Sequence, residues 1–563
     1  MHIVRKDIRR LRWLLALWVV ILAVRVAVQW VTGTAFEDFT PRAFFVMEMA
    51  TVIGALETLM LAMLIARLVH EEPLVGWNGF WLTRPYSRKA LIIAKLLVAA
   101  VAFVLLPLVA DLVTMAVFHA GLRSWLEAAP TFALSHLTWA LMLLVVATVT
   151  AGLGAFSLAI IAVVATGALV IMAMLGVAVL FDPEPSNYVV SMQPDPTPGL
   201  VASVLFNLAA VSVVLYQYHH RRWGVAVAIA VVGVIVTCVA PSFWPWSIVP
   251  VQAAEVGAWA RDPKTSSPVV TRKWEMHVNE SSFARERSRR GVYAPLRLAG
   301  MPANFNIQSV AVDAKLTLSD GTQLTSRHMD SWQSPVSELG PGKPSPWVAA
   351  AAPGVNIVKG MDEAILEQWP ALLMLTDAEY ARHRGKTGRL DATLHVHVFK
   401  TTLRGTVPLR AGAALDDGVS RVEIVAAVPR AGGYRISVRQ WRAGAPWTYW
   451  RERTYAWLLQ NRGARTALLP AQSGGLPMQS AGVGGLFSLF LLGEVASPAM
   501  SNAFRLETVQ LAYSNRTRSG ELLPFDAEWF RGAELAVLET TYAGTLTRSL
   551  TLEDFRIPEG PAE

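Results

Sequence analysis

The order of apolar and polar positions divides this chain in two. Up to about residue 241, apolar residues come in long runs broken by short clusters of charge, proline and glycine. About 20 apolar residues, rising about 1.5 Å each, cross a hydrocarbon core of about 30 Å. On that measure the pattern predicts seven spans, near 13–33, 43–69, 90–110, 132–151, 155–181, 199–218 and 224–241. Between the fourth and fifth, Ala151-Gly152-Leu153-Gly154-Ala155 carries no charge, so the two form a tight hairpin or one broken helix. From about residue 252 the period changes to two. VVTRKWEMHV, SVAVDAKLTL, ATLHVHVFKTTL, SRVEIVAAV, GYRISVRQW, FRLETVQLAYS and AELAVLETTYA read as strands with turn residues between them. Leu486–Leu492 is too short to span as a helix and reads as a core strand. A helical island is expected from Asp362 to about Arg384, interrupted at Pro370, and 334–354 reads as a loop or seam.

The fold class that follows is an α-helical polytopic membrane bundle of about seven transmembrane helices, then a mostly-β region of one large or two tandem β-sandwiches. Residues 1–12 form a basic N-terminus, 13–241 the bundle and 242–563 the β-rich region. Composition agrees: 53% hydrophobic residues and twenty Trp over 563 residues exceed what a soluble protein carries. Mean hydropathy is +0.38.

Charge adds an orientation. With the N-terminus inside, the inner segments hold Arg5, Lys6, Arg9, Arg10, Arg12, Arg67, Arg84, Arg88, Lys89, Lys95, Arg221 and Arg222. The opposite loops of the bundle hold Arg42 and Arg123. Lys and Arg concentrate on the cytoplasmic side of membrane proteins, so an odd number of spans places the β-rich region outside the cytoplasm. MHIVRKDIRRLR is amphipathic if helical, and either lies on the membrane surface or serves only to orient the first span. The net charge of +8 is modest, and basic residues of the second half are scattered among acids, which argues against nucleic acid as a partner. The single cysteine, Cys238, excludes an intrachain disulfide and a cysteine zinc site.

Candidate chemistry is sparse. Arg25, Glu48 and Glu57 fall inside expected spans, where ionisable groups are expensive and usually functional. Arg25 and Glu57 lie at similar depth, as a structural ion pair or as part of a polar path, and Glu48 lies nearer the outer surface on the other face of its helix. Asp111 and His136 sit at or near expected helix ends, where solvation would suffice. Gly385-Lys386-Thr387 ends like a phosphate loop, but Tyr380 stands where the earlier glycine is required. His395 and His397 share one face of a strand with no third metal ligand in view. Arg285, Arg287, Arg289 and Arg290 read as a solvated loop or a contact to lipid phosphates. No HExxH or GxSxG motif is present. No catalytic residue, metal site or cofactor is therefore expected.

The most patterned stretch is His70–Lys95, HEEPLVGWNGFWLTRPYSRKALIIAK. Pro73 disfavours helix at Glu72, Gly76-Trp77-Asn78-Gly79 is turn chemistry, and Ser87 is a plausible N-cap for the next helix. Arg88 and Lys89 then occupy a helical first turn, where the macrodipole disfavours cations by about 0.3–1 kcal/mol each, so they serve topology or a partner. FWLTRPYSRKALIIAK resembles the segment after the second transmembrane helix of ABC-2-type transporter permeases, in which a Pro, a Ser-Arg pair and a downstream Lys recur. The likeness covers about the first 240 residues as topology and this stretch as motif. It implies a coupling segment at 70–89 that docks on a separate cytoplasmic ABC ATPase, with Trp77, Phe80, Trp81, Arg84 and Arg88 as the docking surface. It implies a dimer of permease subunits in the inner membrane of a bacterium, with membrane lipid around them. Members of that family usually end after a sixth span, and the seventh expected here departs from them. The alternative is a membrane-anchored sensor or assembly factor whose external β-domain binds a partner.

Overall fold

The computed structural model describes residues 2–35, 41–71, 88–163, 165–166, 197–240, 259, 266–270, 276–280, 289–331, 354–358, 370–430, 433–445, 453–468, 472–476, 503–514 and 526–559. The first half is helical: α1 (His2–Ala35), α2 (Pro41–His70), α3 (Arg88–Ala100), α4 (Leu106–Val117), α5 (Leu122–Val149), α6 (Leu153–Val163), α7 (Thr197–His220) and α8 (Trp223–Val239). A π-helical turn, Val101–Leu105, joins α3 to α4, so Lys89–Val117 runs as one span. Among the described residues five helices, rather than seven, are long and apolar enough to cross a membrane, and α6 and α8 are shorter apolar helices. The five fit a multi-pass membrane protein. Their outer surfaces carry large apolar side chains, with Leu59 67%, Ile93 66% and Leu208 60% exposed, a surface that water would penalise and lipid would not.

Three helix boundaries differ from expectation. Residues 1–12 are not a separate surface helix: α1 is continuous for 34 residues, and Ile3 and Leu11 are buried among its neighbours. The third span runs on through Val117 instead of ending at 110, and α5 starts at Leu122, ten residues before the expected 132. The fourth and fifth spans are two helices, since the chain is extended at Thr150 and bends before α6.

The π turn has a cause in the sequence. Leu106 donates its N–H to Val101 O, five residues back. The next donor would be Pro107, which has none. That leaves the Ala102 carbonyl without a backbone partner, and the indole of fully buried Trp18 donates to it at 2.9 Å. An orphaned carbonyl inside an apolar bundle costs several kcal/mol, so this indole holds α1 against the third span.

The second half is built of strands. A seven-stranded sheet has the order β6 (Gln323–Ser331), β5 (Phe305–Leu318), β9 (Thr387–Pro408), β17 (Glu534–Arg556), β13 (Arg453–Asn461), β14 (Thr466–Leu468) and β7 (Asn356–Val358). A five-stranded sheet has the order β10 (Ala414–Asp416), β11 (Ser420–Arg430), β12 (Gly433–Ala443), β16 (Phe504–Ser514) and β15 (Gln472–Leu476). Smaller sheets are formed by β2 (His277–Glu280), β3 (Arg289–Tyr293) and β8 (Ala371–Thr376), and by β1 (Pro268–Val270) with β4 (Leu296–Leu298).

These sheets enclose two cores. In the first, Leu390, Leu394, Val396 and Val398 of β9 and Leu550 and Phe555 of β17 pack against the small sheets. In the second, Val407 of β9 and Leu535 and Val537 of β17 pack against the five-stranded sheet. Two long strands, β9 and β17, run through both cores and join them. Where the cores meet, buried Thr401 and Thr540 join their hydroxyls at 2.8 Å.

The expected helical island lies differently. Residues 362–369 lie outside the described residues; of the rest, 371–376 are strand β8 and Asp377–His383 is helix. Ala371-Leu372-Leu373-Met374-Leu375 is buried throughout, so its sequence shows no alternation to mark it as a strand. Thr376 and Glu379 form a capping box that starts the short helix. Leu486–Leu492, Arg285 and Arg287 lie outside the described residues.

The β region docks on the bundle at one end. α4 finishes with His119 in the left-handed conformation (φ 61°), and Ala120 N–H reaches back to Met115 O, a Schellman-type cap that usually uses Gly. Around this turn Met115, Phe118, Ala120 and Ala128 pack with Trp441, Ala503, Phe504 and Leu506. Trp441 donates its indole N–H to Phe118 O (2.9 Å), Ser124 donates to Gly418 O (2.5 Å) and Thr131 to Gly444 O (2.9 Å). This end is the one opposite the N-terminus of α1, since Asp7 pairs with Lys95, at the far end of the third span.

Candidate functional site: a buried charge cluster in the bundle

One stripe of α1, Ile3, Asp7, Leu11, Trp18, Leu22 and Arg25, recurs at helical spacing and is buried. Its last member brings a guanidinium among three other helices. Arg25 Nη1 donates to Glu57 Oε1 of α2 at 2.9 Å, and Nη2 donates to Asp111 Oδ1 of α4 at 2.6 Å. Arg25 Nη2 also lies 3.4 Å from Pro107 O. On the other side of Asp111, Oδ2 is 2.6 Å from Nε2 of His136 on α5. One turn further along, Thr114 donates to Gln29 Oε1 at 2.9 Å, joining α4 to α1 again. Four helices therefore meet through one charged network.

Arg25, Glu57 and Asp111 are 5%, 7% and 6% exposed. Removing such charges from water is tolerable only when they are paired and hydrogen-bonded. The pairing is incomplete: Glu57 Oε2 and Arg25 Nε have no hydrogen-bond partner. The two carboxylates, moreover, face one permanent cation.

Arg25 and Glu57, expected at similar depth, are brought together. Asp111 and His136, expected as solvated helix-end groups, instead lie within helices, Asp111 buried and His136 half-buried, and complete the network. Glu48 lies in α2, and its side chain is outside the described residues.

The end of the bundle that carries the N-terminus has ion pairs of its own. Lys95 pairs with Asp7 at 3.1 Å and donates to Leu68 O at 2.8 Å. Arg10 pairs with Glu71 at 3.2 Å, and His70 Nε2 lies 3.0 Å from Ala147 O and 3.1 Å from Thr150 Oγ1. Of the expected docking residues, Trp77, Phe80, Trp81 and Arg84 lie outside the described residues, and Arg88 opens α3 with its side chain undescribed.

In the β region the remaining candidates take structural places. Gly385, at φ +77°, forms the turn into β9, and Lys386 pairs with Asp320 at 2.8 Å, leaving no phosphate cradle there. Arg290 pairs with Asp377 and lies over the Tyr380 ring. His395 Nδ1 is 3.1 Å from Thr547 Oγ1. Burial, and next His395, hold the His397 imidazole below its usual range. Among the described residues no cluster of His, Cys, Asp and Glu is arranged to hold a metal. Comparison with protein-family models, with curated proteins and with solved structures finds no match to this chain.

Proposed function

We propose that this chain is the membrane subunit of an ABC-2-like transporter, driven by a separate cytoplasmic ATPase. In this reading the N-terminus and segment 70–89 face the cytoplasm, the β region lies outside it, and two permease subunits flank the path. The observation that carries the reading is the bracing around segment 72–87. Glu71, just before it, is paired with Arg10, and Lys95, about two turns into the helix that follows it, is paired with Asp7. A partner that grips Trp77, Phe80, Trp81, Arg84 and Arg88 would therefore move α1, α2 and α3 together. Because Arg25 and Glu57 lie on α1 and α2, that motion would reach the buried network. A motor shifts such a bundle only by binding one of its arrangements more tightly than another.

The docking of β12 and β16 on the α4–α5 turn favours a second reading. A partner bound to the β region would pull on Phe118 through Trp441, and the chain would then be a sensor or assembly factor without transport. One experiment separates the two. Arg84→Glu with Arg88→Glu should abolish co-purification of an ABC ATPase in mild detergent while membrane insertion persists. Unchanged co-purification, or no ATPase with the wild type, would leave the sensor reading in place.

A further inference from the structure

The buried network is one positive charge short. Arg25 supplies one cation, Glu57 and Asp111 supply two carboxylates, and all three are more than nine-tenths buried. The charged groups facing Glu57 are Arg25 from α1, Asp111 from α4 and His136 from α5. Those facing Asp111 are Arg25, His136 and Glu57. Leaving an unbalanced charge inside an apolar bundle is strongly unfavourable, so the deficit must be met by something bound.

We propose that the cluster is a proton-binding site: the folded bundle takes up one proton, held between His136 Nε2 and Asp111 Oδ2 and exchangeable with Glu57 Oε2. At 2.6 Å, the His136–Asp111 contact is as short as a charge-assisted hydrogen bond, so the pair is placed to share a proton. Glu57 Oε2 is buried without a partner and can accept the same proton when His136 gives it up. A metal cation is the poorer occupant. Sodium or calcium wants about six oxygen ligands, whereas the Arg25 guanidinium already lies between the two carboxylates. The inference needs only the bundle, and holds whether or not the chain transports.

The test uses full-length protein in detergent or nanodiscs, with the thermal midpoint of the bundle read between about pH 5 and 8, where imidazole changes charge. If the folded state binds more protons than the unfolded state, stability must fall as pH rises. The wild-type midpoint should therefore drop by several degrees across the range. Glu57→Gln leaves Arg25 and Asp111 balanced without a proton, so its midpoint should be markedly flatter. His136→Gln removes the imidazole that shares the proton with Asp111 and leaves Glu57 as the remaining acceptor, so it should melt lower than wild type. Combining it with Glu57→Gln should restore much of the loss, which keeps the idea testable if His136→Gln alone does not fold. Parallel pH profiles for wild type and Glu57→Gln would overturn the proposal. So would a midpoint that ignores pH but rises with sodium chloride and not with choline chloride, which would assign the site to a metal cation.

Discussion

The bundle and the β region use the same charged residues to opposite effect. In the bundle, Arg25, Glu57, Asp111 and His136 are enclosed and tie four helices together. In the β region, Arg389 with Asp391, Arg327 with Asp313 and Lys386 with Asp320 lie on open sheet faces and turns, a third or more exposed. Coulomb attraction at about 3 Å is similar in kind at both places, but water screens one set and not the other. Charges inside an apolar bundle are therefore structural commitments, while those on the sheet are decoration on a core made by Leu, Val and Phe.

The largest effect should come from breaking that commitment. Arg25→Gln strands two carboxylates and is expected to cost the bundle about 3–5 kcal/mol, measured by thermal unfolding in detergent. Adding Glu57→Gln should recover part of the loss, whereas simply additive losses in the double-mutant cycle would mean that the two do not interact. Arg389→Gln, the exposed counterpart, should leave the melting curve where it was.

Next in size is the apolar core. Phe555 is 1% exposed, and Phe555→Ala should cost about 3–5 kcal/mol. Since β9 and β17 serve both cores, hydrogen exchange should show protection falling around Val422 and Ile436 as well as around Val396. Loss confined to the first core would mean that the sandwiches open separately. A smaller change is expected at the junction between the regions. Trp441→Phe leaves the Phe118 carbonyl without its buried donor, a loss of about 1–3 kcal/mol in docking. It should appear as faster proteolysis between bundle and sheet with each part still folded, and unchanged cleavage would count against a structural role for this bond.

The smallest effect is a pH dependence. Hydrogen bonds from Lys386 and then Thr322 hold the exposed Asp320 carboxyl well below the usual carboxylate range. A depressed folded-state value gives stability that is present above the unfolded value, about 3.9, and lost as pH falls through the folded one. Acid titration of wild type and Asp320→Asn should therefore diverge slightly above about pH 4 and converge below it.

How far the sequence revealed this architecture depended on which solvent each residue meets. Arg25 and Glu57 were legible because a charge in an apolar run has few explanations. Asp111 was not, because a charge at the margin of a span reads as its end. Pairing with Arg25 lets the helix continue to Val117. His136 stood four residues inside an expected span and looked solvated, since nothing local revealed that α5 begins at Leu122. Strand β8 was hidden for another reason: with both faces covered it lacks the alternation that distinguishes strand from helix. The pairing of β9 with β17 joins Thr387 to Arg556, a partnership between distant residues that no local pattern announces.

Those two strands have a mechanical consequence. Twenty-two residues of extended chain in β9 reach at most about 75 Å, and the pair forms a stiff beam whose second sandwich is pinned to one corner of the helices. A tilt of about 5° at that corner sweeps the far tip through roughly 6 Å over that length. Leverage of this kind runs both ways, so a load hung on the distant sandwich returns to Phe118 as torque.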